Sequence, residues 1–146
     1  MTRLLPLLLV GCASSLPPSA VPLSSAEQQD LGRAVSLWRA AGLPWTDTCQ
    51  RELPRIRVQV EKGAELARLC KGTVDGACMI WRDDGGFWLT PDTRPVLVLA
   101  AGAPRRVWQH EVIHLLAFCS GLRGDLGHQD GRLWGDGVLG KWRRDD

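Results

Sequence analysis

The sequence predicts one α+β domain: a small mixed sheet, a helix before it, and a second helix after it that carries an H-E-x-x-H motif. Three observations predict this. Residues 26–41 place Leu31, Ala34, Val35 and Trp38 on one helical stripe, and Trp108, Val112, Leu115, Leu116 and Cys119 repeat that spacing over about three turns. Residues 55–60, RIRVQV, alternate polar and apolar as a half-buried strand does. Residues 96–100, VLVLA, form an unbroken apolar run between Pro95 and Gly102, the pattern of a strand buried on both faces.

Composition sets the limits. The chain has 146 residues, 45% apolar and 23% charged, enough for one modest core and too apolar for a disordered chain. Lys plus Arg number 18 against 16 Asp plus Glu, a net +2, so no basic stripe points to a nucleic-acid partner. No apolar run reaches the roughly 20 residues that a membrane-spanning helix needs.

In chain order, the first element is an address. Residues 1–11 hold Arg3 and then the apolar run Leu4 to Val10, a secretory signal pattern too short to span a bilayer. Leu9-Val10-Gly11-Cys12 resembles the lipobox of bacterial lipoproteins. The resemblance implies cleavage before Cys12 and lipidation at that residue. With Ala13 rather than Asp next, it implies outer-membrane sorting if the source is Gram-negative. Residues 12–25 are Ser- and Pro-rich without charge, a tether to a domain over 26–146.

The helix over 26–41 has Ser25 as its expected N-cap and Gly42 as its C′ residue. Residues 43–54, with Pro44 and Pro54, read as loop, and 61–69 as a short helical turn. Residues 77–82 and 87–90 flank Asp83-Asp84-Gly85-Gly86, which predicts a hairpin. Pro104 suits the first turn of the second long helix and Gly121 its end. Beyond it the chain is Gly-rich, mostly loop with a short final helix. The seven Trp, Trp108 included, are expected to fill the core.

Besides Cys12 there are four cysteines, an even set behind an export signal, which suggests two disulfides. Cys70–Cys78 can close a tight loop through Gly72, Asp75 and Gly76, leaving Cys49–Cys119 to clip the N-terminal half to the second long helix. The spacing matches zinc ribbons poorly.

The chemistry is concentrated at His110-Glu111-Val112-Ile113-His114. On a helix, positions i and i+4 lie on one side, so both imidazoles can hold one tetrahedral Zn²⁺. Glu111 is displaced in angle and reaches a water on the metal instead. A catalytic zinc takes a further protein ligand and keeps one open position. His128 is the remaining His, past the helix-ending Gly121 and next to Gly127, and is the favoured third ligand. Asp125, Asp130 and Asp136 are the alternatives. With His128 as ligand, Asp125 and Asp130 become candidates for fixing a ligand tautomer, or are simply turn residues.

These residues and the order of elements resemble the zincin metallopeptidases, over about residues 26–130. The resemblance implies a zincin-like sheet, Zn²⁺ as cofactor, a peptide or protein substrate, and Glu111 as general base on the water at the metal. It implies that the strand before the last pairs with substrate; that strand would be Phe87, Trp88, Leu89 and Thr90. A His as third ligand is similar to the metzincin branch, but His128 comes later than that branch places it and no Met follows the motif. No Glu follows Glu111, which departs from the glutamate-zincin branch. The chain has no Tyr, so a second oxyanion donor falls to Arg (Arg123 is a candidate), Trp or a backbone N–H. The alternative function is a non-catalytic, zinc-stabilised envelope lipoprotein acting as a binding module, which has no need of Glu111.

Overall fold

The computed structural model describes residues 20–70, 77–80, 95–122 and 128–144. The signal segment, Cys12 and residues 81–94, with Phe87, Trp88, Leu89 and Thr90, lie outside the described residues, as do Arg123 and Asp125. Among the described residues no helix is long and apolar enough to cross a membrane.

The chain is a mixed α+β domain. Strand β1 (Val21–Pro22) leads into helix α1 (Ser25–Ala40), a short helix α2 (Asp47–Glu52) and a 3₁₀ turn (Leu53–Arg55). Strand β2 (Arg57–Glu61), helix α3 (Gly63–Leu69), strand β3 (Ala77–Ile80) and strand β4 (Val96–Ala100) follow. Helix α4 (Arg105–Cys119) and helix α5 (Val138–Arg144) complete it. The sheet order is β1-β2-β4-β3. β2 and β4 run parallel with Arg57 opposite Val96, while β3 is antiparallel to β4 with Ala77 opposite Leu99. A parallel pair needs a crossover between its strands; here α3 and β3 lie within it.

The alternation in β2 and the apolar run in β4 sort residues to two faces. Val58 and Leu97 join the main core with α1, α4 and α5, whereas Val96 and Val98 pack with Leu66 and Cys70 of the α3 side. β4 is therefore buried on both faces, as its sequence predicts. Trp38, Leu97, Val112, Leu116, Leu133 and Trp142 are sealed from solvent at the centre.

Several local expectations shift by small amounts for clear reasons. α1 is capped by Ser24, not Ser25. The Ser24 hydroxyl accepts the Glu27 N–H, and the Glu27 carboxylate accepts the Ser24 N–H at 2.7 Å. Gln28 stands in the corresponding place after Ser25, but its side-chain amide donates to the Leu23 carbonyl at 3.0 Å, and the box closes at Ser24 and Glu27. The expected loop 43–54 contains α2, whose Thr46 cap accepts the Cys49 N–H. The end of the Ser/Pro-rich stretch belongs to the domain: Val21 pairs with Val58 and Leu23 is buried. Ala77–Ile80 forms a strand as expected and pairs with β4; the second arm of the expected hairpin falls outside the described residues.

Two devices fix α4. Cys49 of α2 is disulfide-bonded to Cys119 at the end of α4, with Cα atoms 5.0 Å apart. Beside it the Thr46 hydroxyl donates to the Cys119 carbonyl at 2.6 Å. At the other end, buried Asp30 of α1 accepts hydrogen bonds from the indole N–H groups of Trp108 and Trp142, each at 3.0 Å, and is paired with Arg105. Cys70 is disulfide-bonded as well; the side chain of Cys78, its expected partner, lies outside the described residues.

Candidate metal centre

α4 begins after β4 and the turn at Gly102, whose φ of 78° suits a residue without a Cβ. Its buried face holds Trp108, Val112, Leu115, Leu116 and Cys119, and it packs against β3 and β4. This packing fixes the rotation of the helix. His110 and His114 fall at the margin of the buried face, both half-buried. Glu111, between them in sequence, is 8% exposed.

His128 reaches the same point from beyond the helix. It is exposed, with a φ of 57°, in the left-handed region that a β-carbon disfavours. His adopts it more readily than most residues. The conformation accompanies the return of the imidazole to α4. Its Nε2 lies 3.1 Å from that of His110 and 2.9 Å from that of His114, and the latter two are 3.1 Å apart.

The three rings point inward. Their centroids are 4.8 Å apart in every pair, while their Nε2 atoms are much closer, so the nitrogens converge on a common centre. Ligand atoms at 2.0–2.1 Å from a tetrahedral ion stand about 3.3 Å apart. The observed triangle is only slightly tighter. Each Nε2 carries either one N–H or one lone pair, so three aimed at one point do not satisfy one another well without a cation. The donor set, three imidazoles, fits Zn²⁺ and other late first-row metals.

Of the aspartates weighed as ligands, none joins the triad among the described residues. The Asp136 side chain is exposed and pairs with Arg144 at 2.8 Å. Asp130 accepts the backbone N–H of Arg132 at 3.0 Å and pairs with its guanidinium, which holds the Asp130 carboxyl below the ordinary carboxylate range.

Trp134 belongs to the main core, as expected, and in addition stands against all three imidazoles, which the sequence reading did not foresee, with ring centroids 5.0 Å from His110, 4.7 Å from His114 and 4.4 Å from His128. Trp38, Trp108 and Trp142 are core residues as expected. The sequence signal for Trp134 was a large aromatic next to Leu133 in a Gly-rich stretch only six residues after His128. Comparison of the chain with protein families, with curated proteins and with solved structures finds no match, so the reading of this centre rests on its own geometry.

Proposed function

We propose that this protein is a zinc-dependent peptide hydrolase held at the cell envelope, with His110, His114 and His128 as zinc ligands and Glu111 as general base. The observation that carries the reading is the convergence of three Nε2 atoms within 3.1 Å of one another, on the helix that also bears Glu111. Zinc in such a site brings the pKa of a water toward about 7 and polarises a carbonyl. Glu111 takes the proton of the attacking water and delivers it to the amine that leaves. Glu111 is buried on the same helix as the two histidines of the motif, so its carboxylate is carried next to the imidazole cluster.

A peptide suits the neighbourhood. α4 packs against β3, and β3 lies at the sheet edge among the described residues. Such an edge offers backbone N–H and C=O groups to an extended chain, as in strand addition. The envelope location is supported by the signal-like residues 1–11, by Cys12 as the lipid-bearing residue, and by the Cys49–Cys119 disulfide, a bond that persists in oxidising compartments.

The test is Glu111→Gln. Wild type and variant should each bind about one zinc per chain, while cleavage of a mixed peptide library falls by roughly 100-fold or more in the variant. Equal cleavage by the two proteins rejects the role of Glu111. Zinc binding without any wild-type cleavage assigns the chain to non-catalytic binding modules instead.

A further inference from the structure

Four ring centroids stand at the corners of a nearly regular tetrahedron. The three imidazoles form a base with 4.8 Å edges, and Trp134 sits over its middle at 4.4–5.0 Å from each. At this spacing no water fits between the indole and the nitrogen triangle. Trp134 is 7% exposed, so the ring is not an incidental surface group. An indole has an N–H donor and no lone pair to offer a metal. One of the two faces of the His triangle is therefore closed by a group unable to coordinate.

From this we infer that Trp134 is a positioning residue, the floor of the metal site, which confines any non-protein ligand to the opposite face. The inference deepens the zinc reading and rests on it. Without a floor, three histidines around a divalent ion leave both faces open, and the ion can gather solvent on each. With the floor, a single approach remains.

The turn that carries Trp134 is built to hold it. The amides of Leu133 and Trp134 donate to the Asp130 carbonyl, and the Gly137 amide donates to the Trp134 carbonyl at 2.8 Å. The Val138 and Leu139 amides reach back to Arg132 and Leu133, each at 2.9 Å. Leu133 is fully buried in the main core and anchors the turn. A β-carbon on Gly137 would lie 2.3 Å from the Arg132 carbonyl oxygen, and one on Gly140 2.0 Å from that of Gly135. The closure of the turn thus depends on two residues without side chains.

Cobalt(II), a spectroscopic stand-in for zinc, tests the inference on the whole chain. The wild type should bind about one cobalt with the intense visible absorption of a four-coordinate ion. Trp134→Ala should bind cobalt with visible absorption several-fold weaker, as further solvent ligands enter, and Trp134→Phe should restore the intensity. In addition, cobalt should quench tryptophan emission in the wild type more strongly than in Trp134→Phe, a comparison that does not need the alanine variant to fold. Cobalt bound by the wild type with absorption unchanged in Trp134→Ala, or with quenching equal in Trp134→Phe, overturns the floor and leaves the metal site standing. Failure of the wild type to bind cobalt or zinc overturns both.

Discussion

His128 is the residue at which an unusual backbone conformation and the histidine cluster meet. Its left-handed conformation costs about 1 kcal/mol relative to an ordinary one. Such outliers persist where the surroundings dictate them. Asn tolerates this conformation at least as well as His. His128→Asn should therefore leave the metal-free melting temperature unchanged or raise it, while zinc affinity falls by at least about 100-fold. Calorimetry of metal-free protein and a competitive chelator titration measure the two. A lower melting temperature with intact zinc affinity would make His128 a structural residue. This position was legible because the chain has only three His and two of them were already placed by the motif. Its φ was not legible, because the turn that imposes it is a product of the closed fold.

At the scale of elements, α1, α4 and α5 meet at one carboxylate. Asp30 takes the indole protons of Trp108 and Trp142 and pairs with Arg105. Removing it leaves two buried N–H donors without their acceptor. Asp30→Ala should lower stability by about 3 kcal/mol, since breaking a buried charge cluster on one side costs several kcal/mol. Urea unfolding measures this; a loss under 1 kcal/mol would show that the helices are held by apolar packing alone. Periodicity exposed α1 and α4, because each buries a stripe over several turns. It could not expose Asp30, a charged residue beside Leu31 on the stripe side, whose partners come from 75 to 112 residues away. α2 escaped because six residues make too little of a stripe, and β1 because Val21 and Pro22 acquire their strand character only from β2. The capping box at Ser24 and Glu27 was present in the sequence as S-x-x-E, and Ser25 merely stood nearer to the predicted helix start.

At the scale of the molecule, helix α4 is secured from outside the sheet. The Cys49–Cys119 bond spans 70 residues of chain and removes much freedom from the unfolded state. Replacing both cysteines by Ala should lower stability by about 2–4 kcal/mol. Denaturant midpoints of the oxidised wild type and the double variant give the difference, and coincident midpoints would mean that Thr46 and the core suffice to dock α2. This pairing was readable by exclusion once Cys70 and Cys78 were matched on loop length. The α+β class was readable from the two periodicities. The path of the last third of the chain was not, because glycines report where a chain can turn and not where it goes.

The segment from Asp130 to Gly140 looks, by composition, like the stretch most free to vary. Yet a single methyl group added at 137 would collide with the backbone opposite. Freedom of substitution at Gly137 and Gly140 is the reverse of what a loop suggests: a side chain at either would push on a turn whose Leu133 is in the core and whose Trp134 stands against the histidines, so one error would reach both.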